Sequence, residues 1–112
     1  MDTQSLAALF KTLSEPVRLR IVYLLLERGE LCVCDLVETL GLSQSVVSRH
    51  LAYLRNNGLV STRREGVWVH YRIVACCCEP LFEHIRQCGE DNEEMQADVA
   101  RLTSATREET CC

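Results

Sequence analysis

Two thiols, Cys32 and Cys34, sit two residues apart in the stretch Gly29-Glu-Leu-Cys-Val-Cys-Asp-Leu36. Thiolates are ligands for soft ions, and the amide groups at a helix entrance lower a thiol's pKa. The spacing predicts that the pair opens a short helix, over about 34–40. Taken alone, a Cys-x-Cys pair is a weak signal and reads more readily as two small buried residues. A second kind of chemistry follows. Between about 44 and 57 the apolar residues Val47, Leu51 and Leu54 form one stripe of a helix. Ser45, Ser48 and Arg49 point the other way, with Gln44 and Arg55 at the flank. Serine and glutamine bond base edges or phosphates, and arginine reads guanine. An ordinary solvated helix face carries more Glu and Lys than this one. His50 lies at the edge of the stripe, where a structural role is expected. Arg63 and Arg64 make the tip of a turn expected at Arg64-Glu65-Gly66 basic, where they would grip phosphate.

The other cysteines carry less. Cys76, Cys77 and Cys78 fall where a strand gives way to a helix, and three adjacent thiols cannot converge on one ion without distorting the backbone. A structural or incidental role is expected for them, and a filling role for Cys88. Cys111 and Cys112 close the chain with no role assigned. Enzyme patterns are absent from the sequence: no cysteine has an arginine six positions later, and no glycine-rich phosphate loop occurs.

These groups need elements to hold them. Leu6, Leu9, Phe10 and Leu13 predict an apolar helix face over 3–13. Ser14 is the expected N-cap of the next helix, roughly 15–28, with Glu15 in its first turn, Pro16 at an early position and Gly29 as its stop. Gly41 and Gly58 punctuate the two helices that follow. Residues 59–64 and 67–73 alternate as strands, with Val67, Val69, Tyr71 and Ile73 on one side. A helix over 79–90 carries Leu81, Phe82, Ile85 and Cys88, and a thin stripe of Met95, Val99 and Leu102 allows helix over 92–102. The reading is mainly α with a β-hairpin wing: a winged helix-turn-helix, homodimeric. Residues 1–90 form the DNA-binding and dimerisation domain, and 91–112 an acidic, flexible tail.

A chain of 112 residues fits one domain with a modest core, which a dimer would enlarge. The net charge of −4 speaks against nucleic acid only as a sum. Residues 43–72 hold five arginines against Glu65 alone, and the remainder holds seven basic and fifteen acidic side chains. A local basic stripe matters more to a phosphate backbone than the total. No apolar run approaches membrane-spanning length and no signal peptide is seen, so a cytoplasmic location is expected, with no membrane partner. In that compartment eight cysteines point to metal binding or redox chemistry rather than a disulfide framework.

Four segments together resemble the arsenical-resistance repressors of the ArsR/SmtB family. They are Glu-Leu-Cys-Val-Cys-Asp-Leu at 30–36, Leu-Ser-Gln-Ser-Val-Val-Ser-Arg-His-Leu-Ala-Tyr-Leu-Arg at 42–55, Gly-Leu-Val at 58–60 and Arg-Glu-Gly-Val-Trp-Val-His-Tyr-Arg at 64–72. Leu-Ser-Glu-Pro-Val-Arg-Leu-Arg-Ile-Val at 13–22 looks like the family's second helix, and the likeness runs over about 4–88. It implies a homodimer that binds double-stranded operator DNA and lets go when trivalent arsenic or antimony, the inducer rather than a constitutive cofactor, binds Cys32 and Cys34. It implies a dimer interface on the first and last helices of the core, here Leu6, Leu9 and Phe10 with Leu81, Phe82 and Ile85. Some relatives have a third cysteine one turn after the pair, where this chain has Val37. The histidine and carboxylate set of the family's zinc sensors is incomplete, with Glu83 and His84 but no second histidine. A sensor of cadmium, lead or zinc, and a thiol-rich metal-sequestering protein, are the alternative readings.

Overall fold

A computed structural model describes residues 1–74 and 79–106. Cys76, Cys77, Cys78, Cys111 and Cys112, and the expectations placed on them, lie outside the described residues. The elements in order are α1 (Thr3–Leu13), α2 (Pro16–Arg28), β1 (Leu31–Cys32), α3 (Val33–Leu40), α4 (Gln44–Asn56), β2 (Val60–Glu65), β3 (Trp68–Ile73), α5 (Glu79–Glu90) and α6 (Glu93–Thr106). Among the described residues the strands form one antiparallel sheet in the order β1-β3-β2.

The middle of the molecule is α2. Ile21, Val22, Tyr23, Leu24 and Leu25 are all buried, so the helix is apolar nearly all round, as a helix covered on several sides must be. Leu36 and Leu40 of α3, Val47, Leu51 and Leu54 of α4, Leu59 and Val60, and Phe82 and Ile85 of α5 complete the core around it. Gly89 of α5 approaches so closely that a Cβ there would stand 2.1 Å from the Tyr23 ring.

The start of α2 departs from expectation. Its N-cap is Glu15, whose carboxylate accepts the Val17 N–H at 2.8 Å. Ser14 instead closes α1, where its N–H and hydroxyl both donate to the Lys11 carbonyl. Proline is the reason. Pro16 excludes the helical conformation from the residue before it, so Glu15 is extended and becomes the cap.

Two further differences concern the strands. The strand β1 lies outside the two expected strands; it pairs Leu31 with Tyr71 and Cys32 with His70. The hairpin closes at Glu65 and Trp68, with Gly66-Val67 as its two-residue loop. Gly66 takes φ +65°, the left-handed backbone such a loop requires. Arg64 and Glu65, expected in the turn, therefore belong to β2, and Val67 projects from the tip.

Beyond residue 91 the chain continues as a helix. Helix α6 packs against α2 and α3, with Met95 and Leu102 buried. Asp98, fully buried, receives Arg20 through Nε and Nη2 at 2.9 Å each, and Arg101 donates to it as well. Arg101 Nε also donates to the Thr39 carbonyl of α3 at 2.8 Å, and Gln96 donates to the Tyr23 hydroxyl and the Gly89 carbonyl. Residues 93–102 are a docked helix held by ion pairs.

Candidate nucleic-acid and thiolate sites

Helix α4 begins at Ser43, whose hydroxyl accepts the Val46 N–H. Val47, Leu51 and Leu54 pin its inner face to the core, as the spacing predicts. Gln44, Ser45, Ser48, Arg49 and Arg55 are all exposed on the outside. Ser45 shares a hydroxyl contact of 3.2 Å with Ser43. Among the described residues no hydrogen bond or ion pair occupies the Gln44, Ser48, Arg49 or Arg55 side chains, so they are available to a partner.

A buried cation lies against this helix. Arg18 of α2 donates Nε to the Thr12 carbonyl at 2.7 Å and places Nη1 3.1 Å from His50 Nδ1. Its guanidinium carbon also lies 4.1 Å from the centre of the Tyr53 ring. Arg18 has no carboxylate in this set, so His50 Nδ1 must accept and the imidazole is neutral. Burial holds its pKa below the ordinary histidine value, and the nearby Arg18 and Arg49 act in the same direction against Glu15. Sequence reading gave His50 its structural role but missed Arg18, because a cation inside an apolar run leaves no periodic signal.

The two wing arginines differ. Arg64 is exposed, with no side-chain hydrogen bond or ion pair among the described residues. Arg63 is occupied. Its Nε and Nη2 meet the two oxygens of Glu30 at 3.1 and 2.7 Å, and its Nη1 meets Glu65 at 3.2 Å.

Cys32 is the N-cap of α3 and ends β1, with its side chain buried. Its N–H donates to Asp35 Oδ2 at 3.3 Å, and its sulfur lies 3.4 Å from the same oxygen. That sulfur is in a disulfide, so it must be reduced before it can ligate. Cys34, at the second position of α3, is a half-buried thiol. Among the described residues no group of three or more His, Cys, Asp or Glu is placed to hold one ion. Val37 packs partly buried against the core.

The expected interface residues divide. Leu6 and Phe10, at i and i+4 on α1, are 44% and 54% exposed. Leu9, Phe82 and Ile85 are buried in this chain's own core, while Leu81 is half-buried. The reason lies in α5, whose apolar face turns onto α2. No helix among the described residues is long and apolar enough to cross a membrane.

Comparison with known proteins bears on these sites. The description "Bacterial regulatory protein, arsR family" matches residues 15–62. The arsenical resistance operon repressor of Escherichia coli (strain K12) is 45% identical over 84% of this chain and 81% of its own. The arsenic resistance transcriptional regulator ArsR2 of Pseudomonas putida is 40% identical over 92% and 94%. A cadmium resistance regulatory protein CadC homologue of Staphylococcus aureus is 36% identical over 90% and 78%. Among solved structures, the antimony-specific repressor AntR superposes with a TM-score of 0.66 at 34% identity, covering 80% of each chain. The homodimeric winged helix-turn-helix domain Mb0332 of Mycobacterium bovis gives 0.68 at 30% identity, covering 80% of this chain and 82% of that one.

Proposed function

Because the chain belongs to the arsR family of bacterial regulatory proteins, we propose that it is a homodimeric repressor which binds operator DNA and releases it when a trivalent metalloid binds Cys32 and Cys34. It acts as a regulator and not as an enzyme. The observation that carries the reading is the position of the thiol pair. Cys32 ends β1, Cys34 is the second residue of α3, and α3 packs on α4, with Leu36, Leu40, Val47 and Leu51 in one core. Drawing both sulfurs to one atom constrains the entry of α3 and so the seat of α4. Linkage then requires DNA to weaken metalloid binding as much as the metalloid weakens DNA binding.

Val37 narrows the ligand. Trivalent arsenic takes three ligands, and this segment supplies two thiolates. A methylated trivalent arsenical needs only two, so methylarsenite should act at least as well as arsenite. Because the ligands are thiolates, affinity should fall as pH drops. A cadmium sensor is the second reading, and the Staphylococcus aureus relative is what favours it. A sequestering protein would have no use for the open outer face of α4.

The test is a gel shift under reductant on the duplex upstream of the chain's own gene, with arsenite, methylarsenite or cadmium added. The chain should bind alone and release with the arsenicals. The double variant Cys32→Ser/Cys34→Ser should bind equally and fail to release. Normal release by that variant would move the sensor elsewhere. For assembly, the exposed Leu6 and Phe10 supply an α1 face for the second copy, and a monomer at micromolar concentration in sedimentation would reject the dimer.

A further inference from the structure

The sheet places the thiol strand and the wing in one ladder. Cys32 of β1 is paired with His70 of β3, and His70 with Arg63 of β2, so the three form a single rung. Paired residues on a rung share a face of the sheet. Glu30 stands two residues before Cys32, and from there it takes both Nε and Nη2 of Arg63 in a fork. Glu65 holds the remaining Nη1, and Glu65 in turn lies 3.8 Å from His70 Nε2. Every nitrogen of Arg63 thus faces a carboxylate. A guanidinium engaged in this way cannot also make a two-pronged bond to a phosphate, because carboxylate and phosphate oxygens use the same donors.

We propose that Glu30 is an internal stand-in for DNA phosphate at Arg63, a latch that the wing must open to grip a duplex and that stands immediately before β1, two residues from the Cys32 sulfur. The proposal rests on the DNA-binding reading above. Three features make it an exchangeable pair and not a permanent brace. The Arg63 and Glu30 side chains are 47% and 29% exposed, so water and phosphate reach both. Exposed pairs of this kind are individually weak, and a phosphate backbone can outcompete one. The sister residue Arg64, one step along β2 and on the other face, has no carboxylate, so a wing that needed only static charge would not require the Glu30 contact. The arrangement also joins the two sites: displacement of β1 at Cys32 moves Glu30 directly, without passing through α3 and α4.

The experiment is a double-variant cycle on the full chain, read by fluorescence anisotropy on a short mixed-sequence duplex over a salt series. Both residues are exposed, and thermal melting verifies that each variant folds. Glu30→Gln should tighten binding by about two- to five-fold, the range expected for releasing an exposed pair. Arg63→Ala should weaken it and lower the salt slope by about one per wing. In Glu30→Gln/Arg63→Ala the tightening should vanish, giving the affinity of Arg63→Ala alone. If Glu30→Gln tightens binding equally with and without Arg63, Glu30 merely repels phosphate and the latch is wrong. If Glu30→Gln leaves affinity unchanged or weakens it, the pair is a brace and the latch is wrong. Absence of duplex binding by the unaltered chain is a separate result, and it would overturn the DNA reading itself.

Discussion

Helices α4 and α6 cover the same core from different sides, and they are held by different forces. Val47, Leu51 and Leu54 seat α4, with no surface left on any of them. Helix α6 has Leu102 fully buried and Met95 nearly so, but its centre is Asp98, buried between Arg20 of α2 and its own Arg101. The outer face of α4 is left open, whereas α6 uses Arg101 to hold the Thr39 carbonyl at the end of α3. An apolar stripe announces itself in sequence through its period. A buried ion pair joining residues 20 and 98 does not, since each charge taken alone reads as solvated. The contrast teaches that an acidic, apolar-poor segment can still be a docked element when a cation waits for it.

The largest expected effect breaks the α6 anchor. Asp98→Ala removes the carboxylate and leaves the Arg20 guanidinium, only 15% exposed, without its main partner. That carboxylate holds the Arg20 pKa above the ordinary arginine value. Losing one side of a buried pair costs about 3–5 kcal/mol. Leu54→Ala, the matching insult to α4, costs about 2–5 kcal/mol through lost burial and a cavity. Urea unfolding measures both. A cost below about 1 kcal/mol for Asp98→Ala would mean that α6 is only loosely attached, and the contrast between the helices would fail.

A smaller effect sharpens the link between α5 and α6. Gly89→Ala would drive a methyl into the Tyr23 ring, whose hydroxyl receives Gln96 of α6. Overpacking of this kind costs about 1–3 kcal/mol. The ring is buried on all sides, so relief requires α5 to shift and α6 to move with it. Hydrogen exchange should therefore rise in α6 more than in α4. Equal rises in both helices would show that α4 and α6 respond as one unit.

Much of this was legible in the residues. The helix-turn-helix, the inner stripe of α4 and its outer face follow from spacing, because a 3.6-residue period and the stops at Gly41 and Gly58 are local signals. The parts that were not legible share a cause: each depends on a distant partner. Strand β1 is two residues long and exists only because β3 supplies its ladder. The wing arginines read alike, yet Arg63 meets Glu30 and Arg64 does not, a difference set by strand register. Leu9, Phe82 and Ile85 are as apolar as an interface requires, and only packing assigns them to this chain's interior. The Ser14 cap failed for a local reason, the constraint Pro16 puts on Glu15.

The smallest effect tests whether α4 has a polar anchor at all. His50 is its one buried ionisable side chain, and Nδ1 accepts from Arg18, so protonation would set two cations face to face. Burial first, then Arg18 and Arg49, lower the folded-state pKa, with Glu15 opposing. The unfolded chain titrates near the ordinary value, about 6.5. Between the two pKa values the unfolded state binds more protons, so stability falls as pH falls. The contribution is therefore whole above about pH 6.5 and is lost as pH drops through the lower folded value. Urea unfolding of the unaltered chain and of His50→Gln, each at pH 7.5 and again at successively lower pH, isolates it. Glutamine offers Arg18 an oxygen acceptor but takes no proton, so the variant should lose less stability on acidification than the unaltered chain. Parallel losses in the two proteins would show that α4 is seated by Val47, Leu51 and Leu54 alone, and that the Arg18–His50 contact contributes nothing to how this helix is held.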